Sequence, residues 1–61
     1  MRDWLYKARK SKGKSQDDVA KEVKISRQYY GMIENNIKTP TVPVAKKIGK
    51  VLDVNWHLFY E

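Results

Sequence analysis

Only Lys24 and Ile25 separate Val23 from Ser26, and helical spacing of apolar residues continues on both sides of them. Upstream, Val19, Ala20 and Val23 share one helical face; downstream, Tyr30 and Ile33 do the same. A connection this short admits only a sharp corner between two short helices. The residue types follow from that corner. Ala20 is small where the second helix crosses over it, and Val19, Val23, Ile25, Tyr30 and Ile33 lock the pair at a fixed angle.

Local signals mark where each helix starts and stops. Ser15 suits an N-cap, and Asp18 three residues on makes an acidic form of the capping box. Asp17 and Asp18 also lie in the first turn, where the helix dipole favours negative charge. Ser26 is the next N-cap, with Ile25 before it and Tyr30 at the fourth helical position as a hydrophobic staple. Asn35 and Asn36 can take the left-handed backbone that ends this helix.

Three further helical pieces flank the pair. The first spans residues 2–12, buries Trp4, Leu5 and Ala8, and stops at Gly13. After a loop at 37–40, Thr41 caps a fourth helix that has Pro43 in its first turn and Ala45, Ile48 and Leu52 on its inner face. Gly49 weakens that helix by about 1 kcal/mol relative to alanine, which close contact with another helix would explain. Asn55 caps a short last helix bearing Trp56, Phe59 and Tyr60. No useful strand alternation occurs, so the reading is all-α: five short helices around one core, a single domain over residues 1–61.

Charge narrows the function. Thirteen Lys and Arg against seven Asp and Glu give a formal charge of +6, as expected of a nucleic-acid binder, although a merely solubilising surface has the same sign. Arg2, Lys7, Arg9, Lys10, Lys12 and Lys14 crowd the start of the chain against Asp3 alone. Such a run suits an edge facing phosphates, or an anionic lipid surface. The apolar stripe of the first helix is needed for the core, which disfavours lipid. With no cysteine and a lone His57, neither a disulfide nor a zinc site is expected. No catalytic set can be assembled, and no glycine-rich phosphate loop occurs, so an enzyme is not expected. Neither a membrane-length apolar run nor a signal peptide is seen, so the expected location is cytoplasmic.

Several stretches together resemble the phage-repressor helix-turn-helix family, the Cro-like and Xre-like regulators. They are residues 5–9, then Ser15, Gln16, Asp17, Asp18, Val19 and Ala20, then Ser26, Arg27 and Gln28, then Ile33, Glu34 and Asn35, and finally Pro40 and Thr41. Ile48, Leu52, Val54 and Asn55 also fall in register. The resemblance covers nearly the whole chain and implies a lambda-repressor-like DNA-binding fold. The chain departs from the pattern at Lys24 and Asn36, where the family usually has glycine, and at Lys14, usually apolar. A lysine adopts the backbone required at the turn only with strain.

The resemblance assigns roles. Gln16 and the amides that open its helix would grip a phosphate, unless Gln16 only helps to cap. Arg27 and Gln28 point outward if Tyr30 and Ile33 point in; Arg suits guanine and Gln suits adenine in the major groove, although Arg27 can instead meet phosphate alone. Met32 lies one turn further along that face, for a thymine methyl or simply solvent. Tyr29 is exposed by phase and would offer its hydroxyl to a phosphate; Ser26 caps first and contacts DNA second. Asn35, Asn36 and Lys38, with Thr39 and Thr41, would line the sugar–phosphate backbone, unless the asparagines only form the turn. Equivalents of Arg9 and Glu34 form a partly buried salt bridge in the family.

The expected partner is therefore double-stranded DNA, with no cofactor, no metal and no small-molecule ligand. Family members commonly dimerise near the C-terminal end, here rich in Trp56, Leu58, Phe59 and Tyr60. A homodimer would read a near-palindromic operator, and repression would follow by operator occupancy. The rival is an antitoxin-like or protein-interaction module on the same fold. Acidic residues on the outer face of the third helix would favour that rival, and none occurs between Ser26 and Ile33.

Overall fold

The computed structural model describes residues 1–61. Helices α1 (Asp3–Ser11), α2 (Gln16–Val23), α3 (Arg27–Glu34) and α4 (Val42–Leu52) are followed by a 3-10 helix, Trp56–Tyr60. The fold is all-helical, with four α-helices rather than five. The last element is five residues long, and its Leu58 N–H bonds three residues back to the Asn55 carbonyl, the 3-10 pattern rather than the α one. Asn55 still caps it, accepting from the His57 N–H at 3.1 Å.

The corner forms as its sequence requires. Ser15 Oγ accepts from the Asp18 N–H at 3.0 Å, and Asp18 Oδ2 accepts from the Ser15 N–H at 2.9 Å, closing the capping box. Lys24 turns left-handed at φ 62° and ψ 45°, and the Ile25 N–H reaches back to the Ala20 carbonyl at 3.0 Å. Ser26 Oγ then caps α3 through the Tyr29 N–H at 3.0 Å. At the far end of α3, Asn36 takes the left-handed backbone (φ 63°), whereas Asn35 stays at φ −82°.

All four helices feed the core. Leu5, Val19, Ala20, Val23, Tyr30, Ile33, Ala45, Ile48, Leu52 and Phe59 form one buried cluster. Trp4 closes it by meeting Phe59 edge-on, 4.9 Å between ring centres.

Two details of α4 qualify the expectation. Thr41 occupies the N-cap but its side chain makes no capping bond. Pro43 at the second helical position has no N–H to offer, which removes one of the amides such an oxygen reaches. Gly49 is crowded by the chain returning into the 3-10 helix and by that helix's first residue: a Cβ there would lie 2.8 Å from the Val54 carbonyl oxygen and 3.2 Å from Trp56 Cβ. Asp53, left-handed at φ 58°, folds the chain back over this glycine.

Candidate nucleic-acid interface

Beneath the candidate surface lies one ion pair. Arg9 Nε and Nη2 donate to Glu34 Oε2 and Oε1, each at 2.9 Å, and both side chains are buried. Arg9 Nη1 also donates to the Lys14 carbonyl at 2.8 Å, which fixes the loop leading into α2. Burial pushes the Glu34 carboxyl up, but the hydrogen bonds and charge of Arg9, helped by Tyr30 and Gln16, outweigh it and hold the group below the usual carboxylate range. The hydrogen bond to Glu34 in turn raises Arg9. Burial of the Tyr30 hydroxyl, together with the Glu34 carboxylate beside it, raises its pKa.

An open cleft lies over this pair, lined entirely by non-hydrophobic residues. Lys10, Gly13 and Lys14 come from the end of α1 and its loop, Ser15 and Gln16 from the start of α2, and Arg27 from the start of α3; Arg9 also lines it. Gly13 sits at φ 67°, the turn that brings the two lysines round to the α2 N-terminus. The first amides of α2 have no intrahelical acceptor, and the partial positive charge there adds to the cations. The geometry suits a phosphate.

The structure brings Gln16 and Arg27 together across this cleft. Gln16 is half-buried and leans inward, its Nε2 donating to Glu34 Oε1 at 3.4 Å. Arg27 and Gln28 are exposed, as are Ser26, Asn35, Asn36 and Lys38. Tyr29 is not exposed as its phase suggested. It is half-buried and packs against the core cluster. Met32 is half-buried, and its carbonyl accepts the N–H groups of Ile37 and Lys38 at 2.9 and 3.2 Å.

Two of the six early cations do not face outward. Arg9 is committed to Glu34, and Arg2 is buried with its guanidinium turned toward the end of α3. Lys14 Nζ, while lining the cleft, pairs with Glu22 at 2.7 Å. Conversely, the inclusion of Gly13 and Ser15 with Lys10 and Lys14 in one cleft was absent from the sequence-derived site. The basic run and the glycine within it are the available signal.

Residues 5–59 match the family model described as helix-turn-helix. The chain belongs to the Cro-like and Xre-like helix-turn-helix family. It is 51% identical over 61 residues to YqaF, an uncharacterized HTH-type transcriptional regulator of Bacillus subtilis (strain 168), spanning all of this chain and 80% of that one. It is 36% identical over 50 residues to the HTH-type transcriptional regulator SinR of the same organism, spanning 80% of this chain and 45% of SinR. The structure of the N-terminal DNA binding domain of SinR superposes with a TM-score of 0.82 at 30% identity, covering 97% of this chain and 87% of that one. These relatives are regulators, a non-enzymatic class. No helix of the chain is long and apolar enough to cross a membrane.

Proposed function

We propose that this chain is a transcriptional regulator that binds double-stranded DNA with sequence specificity, laying α3 in the major groove. The observation that carries the reading is the placement of exposed Arg27 and Gln28 at the first two positions of α3, beside a wholly polar, cationic cleft at the start of α2. A phosphate in the cleft would fix the register, and the two α3 side chains would then meet base edges. Asn35, Asn36 and Lys38 would follow the sugar–phosphate backbone beyond α3. The likeness to YqaF and SinR, both HTH-type transcriptional regulators, supports this reading.

Repression would follow by occupancy of an operator overlapping a promoter, in the cytoplasm beside the DNA. A homodimer through the C-terminal aromatic region would place two α3 helices about one turn of DNA apart and read a near-palindrome. Half-buried Trp56 and exposed Tyr60 are available there. Sedimentation equilibrium with and without operator tests the dimer: a monomer in both states argues against it.

Selection of bound duplexes from a random pool tests recognition itself. Enrichment of one sequence by the wild type, lost in Arg27→Ala/Gln28→Ala while salt-sensitive binding persists, is the expected outcome. No enrichment by the wild type would leave the charge as generic attraction and defeat the reading.

A further inference from the structure

Arg2 holds the end of α3 and the loop after it in a single grip. Its backbone N–H donates to the Glu34 carbonyl at 2.7 Å. Its Nη1 donates to the carbonyls of Ile33 and, at 2.9 Å, Lys38, and its Nη2 lies 3.4 Å from Thr39 Oγ1. The guanidinium also lies over the Phe59 ring, 5.3 Å from its centre. One buried side chain thus joins α3, the segment 35–39 and the 3-10 helix. A cation is well placed at carbonyls that end a helix, where the dipole is negative and acceptors lack intrahelical donors. The planar fork supplies several donors in fixed directions, and the aromatic ring sets its plane.

Apart from Arg2, segment 35–39 is held by backbone bonds back into α3: the Asn35 and Asn36 N–H groups donate to the Gly31 and Ile33 carbonyls, and those of Ile37 and Lys38 to the Met32 carbonyl. Its side chains Asn35, Asn36 and Lys38 are exposed. We infer that Arg2 is a positioning residue: it makes no phosphate contact of its own but presets this loop so that Asn35, Asn36 and Lys38 meet the DNA backbone in register with α3. The inference rests on the DNA-binding reading above. It assigns to Arg2 a role that the charge of the first residues does not suggest, because the burial and hydrogen bonding of Arg2 withdraw it from the outer cationic edge.

The test is a double-mutant cycle on binding to the selected operator, using Arg2→Met, Lys38→Ala and the double variant. Affinities are measured over a range of salt, at a temperature where circular dichroism shows every variant folded. Arg2→Met should weaken binding and lower the slope of log K against log salt by about one, the loss of one phosphate contact. The double variant should fall no further than the larger single loss, because both changes disable the same contact. In free Arg2→Met protein, the amides of Ile37 and Lys38 should exchange faster with solvent while those of α2 keep their protection.

Additive losses would overturn the inference in favour of a direct contact by Arg2. An unchanged slope and affinity would reduce Arg2 to a stabilising residue. If Arg2→Met does not fold, Arg2→Lys carries the same cycle, since one ammonium keeps the charge but not the fork. Failure of the wild type to bind any duplex would instead defeat the DNA-binding reading, an outcome separate from any behaviour of the variants.

Discussion

The Arg9 guanidinium and the Glu34 carboxylate face each other side by side, with two parallel N–H to oxygen hydrogen bonds of 2.9 Å each. They stand 25 residues apart and join α1 to the last residue of α3. The pair therefore sets how the outer face of α3 lies relative to the cationic cleft.

Removing one partner strands the other charge. Arg9→Met should destabilise the fold by about 3–5 kcal/mol, a large share of what so small a domain possesses. Arg9→Met/Glu34→Leu should be more stable than Arg9→Met alone, since neither charge then remains buried. Urea unfolding followed by circular dichroism checks both; a double variant no better than the single would mean the pair's worth lies elsewhere.

Acid should expose the same pair. The folded Glu34 carboxyl is held below its ordinary range, so its contribution is fully present above the unfolded value of about 4.3 and is lost as pH falls through the folded value. Melting temperature should thus begin to fall below about pH 5 and keep falling toward pH 3. Glu34→Gln, less stable at pH 7, should show a flatter fall in that window. A residual slope should persist, because the Ser15 backbone N–H holds Asp18 low as well.

Much of this architecture was legible because it is local. Ser15 with Asp18 and Ser26 bond only to amides within three residues, so spacing alone identified them. The inward set of α2 and α3 followed from helical phase and is buried as read. What escaped was decided by distant chain. Arg2 looked like one cation in a basic run, and only the arrival of α3 and Phe59 beside it makes it an internal anchor. Phase placed Tyr29 outside, but packing against the core half-buries it. Gly49 signalled a close approach without saying that the neighbour is the Val54 carbonyl.

Lys24 carries strain that glycine would relieve. Its left-handed backbone costs an L-residue roughly 1–2 kcal/mol, against roughly 0.5–1 kcal/mol of extra chain entropy that glycine loses on folding. The lysine is exposed, so its side chain gives up little. Lys24→Gly should raise stability by about 0.5–1 kcal/mol, or about 2–8 °C in Tm for a domain of this size. A lower melting temperature would show that the turn tolerates lysine without cost.

Charge and base reading should separate cleanly in binding experiments. Lys10 and Lys14 line the cleft with Arg27, but only Arg27 belongs to α3. A phosphate held in the cleft is common to every duplex, so losing a lysine there should weaken all sequences alike. Lys10→Ala should reduce the slope of log K against log salt by about 0.9 while leaving the preference for operator over random DNA intact. Lys14→Ala should do less, because its Nζ is already shared with Glu22 at 2.7 Å. Gln28→Ala should behave in the opposite way: little change in salt slope, and a loss of about 1–3 kcal/mol of discrimination at one base pair. Titrations of operator and scrambled duplex at three salt concentrations resolve the two patterns. A Lys10→Ala variant that loses preference rather than slope would place Lys10 at a base edge and move the reading surface off α3.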